Sequence, residues 1–364
     1  MKVPMLDLNA QYEPIKEDVL DAMREVFESK RFINGPQITE LEEKIAEYCH
    51  CKYAIGVTSG TDAILISLMA LDIGQGDEVI TTPFTFFATA GCIHRVGAKT
   101  VFVDIDPKTY NINPELIEEK ISDKTKAILP VHLFGQIAEM DKIMEIAKKH
   151  NLYVIEDAAQ AIGSEYKNKR AGSLGDVGCF SFFPSKNLGC CGDGGMVTTN
   201  DEDLANKIKI LRAHGSKPKY YHKVIGGNFR LDTIQAAILL KKFPLLEKWH
   251  KGRQKNAEYY NEKLKSYAEI PFVENYNKMI YNQYTIRSKS RDKLHQHLID
   301  SNIGNAIYYP VPLHLQKCFA NLEYKIGDCP ESEKAANEVL SIPIYPELSN
   351  EQKNYIVEKV ISGI

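Results

Sequence analysis

The sequence contains no long hydrophobic run: nowhere do eighteen apolar residues follow one another, and residues 1–7 do not form the apolar stretch of a signal peptide. Because a helix needs about 20 apolar residues to cross a bilayer, neither a membrane-spanning segment nor secretion is expected. An excess of one charge is also missing, with 45 Lys and Arg against 48 Asp and Glu and a net charge of −3. Without an overall basic field, nucleic acid is not an expected partner.

The eight cysteines do not have the spacing of a metal site. The segment Cys49-His50-Cys51 lacks an accompanying C-x-x-C or His pair that would complete the four ligands of a zinc ion. We therefore expect no bound metal and a structural role for this segment. Because disulfides are rare in the cytoplasm and no secretion signal is present, reduced thiols in a cytoplasmic enzyme are expected.

Two signatures of nucleotide binding are absent as well. The pattern G-x-x-x-x-G-K-[ST] does not occur, and no G-x-G-x-x-G follows the first predicted strand. These patterns bring backbone N–H groups close to a phosphate chain. Their absence excludes a P-loop NTPase and weakens the case for a nucleotide-dependent dehydrogenase.

What is present is an ordinary globular composition: 364 residues, 44% hydrophobic and 26% charged, enough for two domains. From about residue 52, short apolar runs alternate with stretches of helical period. This alternation is typical of a mainly parallel, helix-covered sheet whose ligands lie beyond the carboxyl ends of the strands. The predicted strands are residues 53–57, 78–81, 99–104, 127–131, 153–157, 177–182 and 196–199.

Helices are predicted over residues 62–71 and 140–150, and a further one is capped by Asn113 with Pro114 at its first position. A long helical stretch is expected from 232 to 251, ending near Trp249. We predict that residues 1–245 form an N-terminal arm and a large α/β domain, and that residues 246–364 form a smaller α+β domain. The arm, about the first forty residues, is expected to pack across the large domain or a partner.

A turn of small polar residues, Thr58-Ser59-Gly60-Thr61-Asp62, lies between the first predicted strand and the following helix. Backbone N–H groups and hydroxyls at a helix N-terminus suit a phosphate dianion. Simple capping of the helix by Ser59 or Thr61 explains the same residues. On this segment alone, capping is the better interpretation.

Two ionisable residues are candidates for chemistry. Asp157 ends a very apolar strand, where a buried carboxylate needs a cationic partner, such as a protonated pyridine nitrogen, to stay ionised. Metal binding and helix capping are the alternatives, although no nearby His or Asp completes a metal site. Lys186 follows an apolar strand and precedes a glycine-rich loop, where desolvation favours the neutral, nucleophilic amine. Its alternative is a surface position beside a flexible loop.

In chain order, these features form a specific series. Matching segments extend over essentially the whole chain: Asn34-Gly35-Pro36, Ser59-Gly60-Thr61-Asp62-Ala63, Gly76-Asp77-Glu78-Val79-Ile80, Glu156-Asp157-Ala158-Ala159-Gln160, Ser181-Phe182-Phe183-Pro184-Ser185-Lys186, Asn228-Phe229-Arg230-Leu231-Asp232 and Tyr309-Pro310-Val311-Pro312-Leu313-His314. The series resembles the DegT/DnrJ/EryC1/StrS family of sugar-nucleotide aminotransferases. The resemblance implies an α/β fold, the PLP-dependent transferase fold type I of aspartate aminotransferase, with a mainly parallel seven-stranded sheet in the large domain. It also implies pyridoxal 5′-phosphate (PLP) as the cofactor.

The same resemblance implies a role for each matching residue. Lys186 would hold PLP as a Schiff base and shuttle a proton between substrate and cofactor. Asp157 would pair with the pyridinium, and Gln160 would contact the ring hydroxyl. Phe86 would stack on the ring, with core packing as its alternative. The phosphate would be held by Gly60, Thr61, Ser181 and, from a second subunit, Asn228, so that the expected enzyme is an obligate homodimer with composite sites.

The implied reaction takes the amine of L-glutamate, leaving 2-oxoglutarate and pyridoxamine 5′-phosphate, and gives it to a nucleotide-linked keto sugar. The segments around Lys186 are more similar to C3 enzymes, acting on UDP-2-acetamido-3-keto-glucuronate or dTDP-3-keto-6-deoxyhexoses, than to C4 enzymes of 4-keto-6-deoxy sugars. Tyr308 stands where those C3 relatives commonly have a histidine facing the sugar, a departure that weighs against the glucuronate. Arg230 is implied to bind a carboxylate or diphosphate of the sugar substrate, or glutamate. The expected substrate-binding residues are Arg230, Tyr308, Tyr309 and His314.

Two other functions are left open. A PLP-dependent dehydratase of the same fold would have histidine in place of the Schiff-base lysine, so Lys186 disfavours it. A regulatory protein that binds PLP or a sugar nucleotide without turnover is the second alternative. The presence of Lys186, Asp157 and Gln160 together disfavours it.

Overall fold

The chain is organised around a seven-stranded sheet in a computed structural model that describes residues 1–364. The strands of the whole molecule are β1 (Tyr53–Val57), β2 (Glu78–Thr81), β3 (Lys99–Phe102), β4 (Thr125–Leu129), β5 (Tyr153–Asp157), β6 (Glu165–Tyr166), β7 (Lys169–Arg170), β8 (Val177–Ser181), β9 (Gly195–Thr199), β10 (Asn277–Lys278), β11 (Tyr284–Arg287) and β12 (Val339–Ile342). In the large sheet their order is β1-β9-β8-β5-β4-β2-β3.

This sheet is parallel except at one strand. β9 pairs antiparallel with both β8 and β1, whereas the pairs β2–β3, β2–β4, β4–β5 and β5–β8 are parallel. Its strands are almost continuously buried, as is usual for a sheet with helices on both faces. The predicted mainly parallel seven-stranded sheet is therefore confirmed. The predicted bounds were wrong at four strands, because β3 ends at Phe102, β4 covers Thr125–Leu129, β8 ends at Ser181 and β9 begins at Gly195.

Helices cover both faces of the sheet. The helices of the whole molecule are α1 (Leu8–Tyr12), α2 (Lys16–Ser29), α3 (Pro36–Tyr48), α4 (Gly60–Ala70), α5 (Ala88–Arg95), α6 (Met140–His150), α7 (Glu202–Leu211), α8 (Thr233–Lys242), α9 (Leu246–Leu264), α10 (Arg291–Asp300), α11 (Pro330–Glu338) and α12 (Asn350–Gly363). Successive residues of a strand point to opposite faces. In β5, Val154 belongs to the core under α3, α6 and α8, and Ile155 to the core under α4, α5 and α7. Both faces of the sheet are thus covered by helices, so a ligand can bind only at its edges.

The long helical stretch predicted for 232–251 was wrong in two respects. α8 ends at Lys242, and a short 3₁₀ turn containing Pro244 separates it from α9, since proline has no N–H to continue the hydrogen bonding of a helix. α9 then continues to Leu264 instead of ending near Trp249. Its buried face includes the polar residues Arg253 and Asn256, which hid the helical period in the sequence. The segment capped by Asn113 is likewise only a 3₁₀ turn, Pro114–Leu116.

The last 119 residues, from 246 to 364, contain α9 to α12 and the β11–β12 pair, in agreement with the α+β character expected there. Their core, with Tyr260, Tyr284 and Val360, also takes in Phe84 and Phe134 from the first part of the chain. One apolar cluster therefore joins the two parts. The domain boundary at residues 245 and 246 stays a prediction.

The N-terminal arm contacts both parts of the chain. Ile15 and Val19 pack against Ile238 of α8. Further towards the N-terminus, the buried Val3 donates its N–H to the Asn302 carbonyl (N to O 3.0 Å), and its own carbonyl accepts from the Gly304 N–H (2.7 Å). None of the helices combines the length and apolar character needed to cross a membrane.

Candidate active site

The residues predicted to carry the chemistry gather beyond the carboxyl ends of neighbouring strands. Asp157 is the last residue of β5 and Ser181 the last of β8, which lies beside it. Lys186 follows in the loop between β8 and β9, with its backbone N–H donating to the Phe183 carbonyl (N to O 2.8 Å). Carboxyl ends of parallel strands meet at one edge of a sheet, where ligands of open α/β folds bind. The structure therefore brings the predicted amine and carboxylate to one place.

Asp157 is buried and held by two protein donors. Its Oδ2 accepts from the Thr89 hydroxyl (2.7 Å) and its Oδ1 from the Ala159 N–H (3.2 Å). Burial raises the pKa of this carboxyl above its usual range, while those two hydrogen bonds and the nearby Lys186 oppose the rise. Neither oxygen is saturated, since an ionised carboxylate accepts about four hydrogen bonds. The site thus contains a buried carboxylate that a further cationic donor would stabilise.

Lys186 has the properties of a nucleophilic amine. Burial lowers its pKa to about 8, and the attraction of Asp157 opposes that shift. Near neutral pH a substantial share of the amine is therefore unprotonated, as attack on an aldehyde carbon requires. The alternative of an ordinary surface lysine does not fit this position.

The turn before α4 offers hydrogen-bond donors to an anion. Ser59 caps the helix, because its Oγ accepts from the Asp62 N–H (3.0 Å), so the capping interpretation is confirmed for Ser59. Capping leaves the N–H groups of Gly60 and Thr61 without a helical acceptor. Gly60 lies directly against Ser181: a Cβ on Gly60 would be 2.6 Å from the Ser181 Cβ. A glycine is required here, and it keeps backbone N–H groups and the Ser181 hydroxyl side by side.

Gln160, Tyr309 and Phe86 form one side of the site. The Gln160 Oε1 accepts from the Phe134 N–H (2.7 Å), and its Nε2 donates to the Tyr309 hydroxyl (3.1 Å). Burial raises the pKa of Tyr309, so this phenol stays protonated. The Phe86 ring is 58% exposed, with its centroid 6.4 Å from that of Tyr309. Such an exposed ring is available to stack on a flat ligand, and the alternative of core packing does not fit Phe86.

The remaining predicted residues differ in position. Asn228 is exposed, Tyr308 is half-buried, and Arg230 is half-buried with a buried Nε that has no hydrogen-bond partner. The structure does not bring the His314 imidazole to the others. It is buried against Phe102 and Tyr324, and its Nε2 lies 3.1 Å from Oε1 of Glu333. With its ring enclosed there, His314 contributes to packing, and no substrate contact is proposed for it.

Two features of the site were missed from the sequence. The first is Thr89, which with Thr85 lies behind Asp157; the only signal was a pair of threonines four residues apart in an otherwise apolar segment. The second is His132, whose Nε2 lies 2.9 Å from Oε2 of Glu156. Glu156 also accepts from three backbone N–H groups, of Gly172, Leu174 and Gly175. Its carboxylate is thus used structurally, and no group of three or more His, Cys, Asp or Glu side chains is placed to hold a metal.

The donor set fits PLP. A lysine amine matches its aldehyde, a buried carboxylate its basic ring nitrogen, and the turn at Gly60 its phosphate. Together with the helix-covered, mainly parallel sheet, these groups define a PLP-dependent transferase of fold type I.

The chain matches the model of the DegT/DnrJ/EryC1/StrS aminotransferase family over residues 13–361. The protein therefore belongs to this family and is an aminotransferase. Among curated relatives, the "Pleiotropic regulatory protein" of Geobacillus stearothermophilus is 53% identical over 364 residues, covering 99% of this chain and 98% of that protein. The "UDP-2-acetamido-2-deoxy-3-oxo-D-glucuronate aminotransferase" of Pseudomonas aeruginosa is 45% identical over 347 residues, covering 95% and 96%.

Solved structures agree. The chain is similar to DesV of S. venezuelae, solved "in complex with ketimine intermediate", with a TM-score of 0.97 and 38% identity over 99% of this chain and 98% of that one. It is also similar to NtdA of Bacillus subtilis, solved "with bound cofactor pmp", with a TM-score of 0.91 and 33% identity over 99% and 85% of the two chains. The predictions of family, fold type, enzyme class and cofactor are confirmed.

Proposed function

We propose that this aminotransferase moves the amino group of L-glutamate onto C3 of a nucleotide-linked keto sugar. The observation that carries the proposal is the pairing of Lys186, an amine of lowered pKa, with the buried carboxylate of Asp157 at one edge of the sheet. The names of relatives support C3, including the 45% identical enzyme named for a 3-oxo-glucuronate and a 44% identical one named for a dTDP-3-amino-3,6-dideoxy sugar.

The proposed residue roles are those that the family resemblance implies, and the positions of the side chains agree with them. PLP, when bound, supplies an electron sink for the carbon that bears the amine. Asp157 accepts a hydrogen bond from the ring nitrogen and keeps it protonated, and Gln160 contacts the ring hydroxyl. Phe86 stacks on the ring. Gly60, Thr61 and Ser181 hold the phosphate through backbone N–H groups and a hydroxyl.

Lys186 also serves as the acid and base of the transfer. Its Nζ accepts the proton from the substrate carbon and later returns one, and a pKa of about 8 lets it do both near neutral pH. Arg230, Tyr308 and Tyr309 are the residues proposed to bind the substrates. The buried, unpartnered Nε of Arg230 is a donor still available to an anionic group.

The proposed enzyme is a homodimer in which each subunit completes the other's site. A hairpin-like segment around residues 214–228 exposes Tyr220, Tyr221 and Ile225, the last of them 92% exposed, and Asn228 follows it. Large exposed apolar side chains mark a surface that another chain covers. In a twofold-symmetric dimer, each such segment lies against the partner and Asn228 reaches the partner's phosphate site.

Mixing two inactive variants tests this composite site. Lys186→Ala and Asn228→Ala homodimers each have two defective sites. A hybrid dimer has one site with both defects and one intact site, so the isolated hybrid should have about half of wild-type activity. Activity is measured after co-expression and isolation of the mixed dimers with two different tags. No gain over the separate variants would place Asn228 in its own subunit's site and contradict the proposal.

The position of amination is tested by substrate profiling. Purified enzyme with L-glutamate should turn over nucleotide-linked 3-keto sugars, because the segments around Lys186 and the named relatives point to C3. Both the UDP-3-keto-glucuronate derivative and a dTDP-3-keto-6-deoxyhexose are offered, with a 4-keto-6-deoxy sugar as the comparison. Turnover of the 4-keto sugar alone would make the enzyme a C4 aminotransferase.

A second candidate function is regulatory binding without turnover, favoured by the name of the 53% identical relative. Absorbance spectroscopy separates the two functions. With PLP bound, addition of L-glutamate should replace the spectrum of the lysine-bound cofactor by that of pyridoxamine 5′-phosphate. An unchanged spectrum would favour the binding protein.

We also place the protein in the cytoplasm. All eight cysteines are unpaired, including the buried Cys49, Cys179 and Cys190. Free thiols in these numbers suit a reducing compartment.

A further inference from the structure

Two buried threonine hydroxyls form a chain behind Asp157. Thr89 Oγ1 is 2.7 Å from Asp157 Oδ2, and Thr85 Oγ1 is 3.0 Å from Thr89 Oγ1. Both threonines are inaccessible to solvent. Thr89 lies in the first turn of α5 and Thr85 just before that helix. The carboxylate is thus held from the protein side by a contact that none of the predicted site residues provides.

Two other buried hydroxyls in the large domain bond to backbone instead. Elsewhere in this core, Thr81 donates to the Leu129 carbonyl (2.7 Å) and Ser67 to the Ala63 carbonyl (2.7 Å), so each hydroxyl satisfies itself on backbone. Thr89 instead donates to a side-chain carboxylate. A hydrogen bond to an ionised group is about twice as strong as one between neutral groups.

The charge of Asp157 fixes the direction of this chain. An ionised carboxylate only accepts hydrogen bonds, so the Thr89 proton points to Oδ2. The Thr89 oxygen is then left as an acceptor, and the Thr85 hydroxyl donates to it. A protonated Asp157 removes this constraint, because its own O–H is able to donate to Thr89. The ionised carboxylate therefore imposes the order Thr85 to Thr89 to Asp157, which a protonated carboxyl does not require.

We infer that Thr89, supported by Thr85, is a positioning residue that keeps Asp157 ionised and turned towards the ring nitrogen of the cofactor. The inference rests on the proposed function, in which Asp157 pairs with that nitrogen. Burial raises the pKa of Asp157, and the hydrogen bond from Thr89 is the largest contribution that opposes this rise. With Oδ2 held by Thr89 and Oδ1 by Ala159, the carboxylate cannot rotate freely, and its unused lone pairs face the site.

Thr89→Val tests the inference, because valine keeps the shape and removes the hydroxyl. In the PLP-loaded variant, the ¹⁵N signal of labelled PLP should report loss of the ring-nitrogen proton at a lower pH than in the wild type. The affinity of the apoprotein for PLP should fall roughly tenfold to a hundredfold, the range for one hydrogen bond to a charged group. In the glutamate half-reaction, kcat should fall by a similar factor with KM changed less. Thr89→Ser, which restores the hydroxyl, should rescue all three measurements to within a few-fold.

Thr81→Val is the matched control. It also removes a buried threonine hydroxyl, but one that bonds only to backbone. It should lower the melting temperature without moving the ¹⁵N signal. Thr85→Val should shift the ¹⁵N signal in the same direction as Thr89→Val, but by less. If Thr89→Val does not fold, Thr85→Val tests the inference in its place.

The outcomes separate this inference from the function on which it rests. Wild-type protein that neither binds PLP nor responds to glutamate would refute the proposed function. If the wild type is active and both Thr89→Val and Thr85→Val match its ¹⁵N titration and PLP affinity, the inference is overturned and the proposed function is not. In an Asp157→Asn background, Thr89→Val should have little further effect on PLP affinity, and full additivity of the two changes would also overturn it.

Discussion

Lys186→Ala abolishes the covalent attachment of PLP and lowers transamination on the order of 10⁴-fold, because one side chain supplies both the amine that holds the cofactor and the base that moves the proton. Its pKa of about 8 suits both tasks. Borohydride reduction followed by mass spectrometry measures the attachment, and the glutamate half-reaction measures the chemistry. The protein should stay folded, since removing a buried amine also removes the cost of desolvating it.

Lys242 provides the control for that experiment. It is another lysine whose pKa is lowered by burial, but its Nζ donates to the Gly189 carbonyl (2.7 Å), so the amine is already used. Lys242→Met should retain cofactor that borohydride traps on Lys186. Two outcomes would contradict attachment at Lys186. They are cofactor that borohydride still traps in Lys186→Ala, and trapping that is lost only in Lys242→Met.

Asp157→Asn lowers the rate of the glutamate half-reaction by roughly 10²- to 10³-fold while leaving the cofactor attached to Lys186. The amide has no charge to keep the ring nitrogen protonated, and loss of one partner of a buried ion pair costs about 3–5 kcal/mol. Rapid-mixing absorbance after addition of glutamate measures the rate. Attachment to Lys186 is followed separately by borohydride trapping, so that loss of chemistry is not confused with loss of cofactor.

Asp104 is the matched carboxylate. It is also buried, but its oxygens accept from the Glu331 and Ser332 N–H groups at the start of α11 (2.8 and 2.9 Å). Asp104→Asn should lower the melting temperature and leave the half-reaction rate within a few-fold of wild type. A half-reaction rate in Asp157→Asn no lower than in Asp104→Asn would show that Asp157 does not act on the cofactor.

The sheet was predictable because its strands are buried on both faces and therefore read as apolar runs bounded by turns. The end of α9 was not, because buried polar residues such as Arg253 interrupt its apolar period. Arg253 donates to the Tyr281 and Asn282 carbonyls, partners that come from a loop close to it only in the folded chain. A tertiary contact of this kind leaves no periodic signal.

The same distinction applies to the site. Lys186 and Asp157 were found because their position in an ordered series of segments is itself informative. Thr89 belongs to no recognisable motif. Its contact with Asp157 exists only in the folded chain, where β5 and α5 bring the Thr89 hydroxyl to 2.7 Å from the carboxylate. His314 shows the opposite case: it belongs to a matching segment, yet its ring is turned into the protein towards Glu333. The sequence predicts which segments form the site, but the direction of each side chain depends on tertiary packing.

The contact of Val3 with Asn302 and Gly304 has a consequence for synthesis of the protein. At about 5–20 residues per second, a ribosome takes roughly 15–60 s to make the chain between these partners. During that time, the beginning of the arm has no native place to bind. Ile15 and Val19 of the arm meet their partner Ile238 earlier, whereas the residues around Val3 are held in place only when translation is nearly complete.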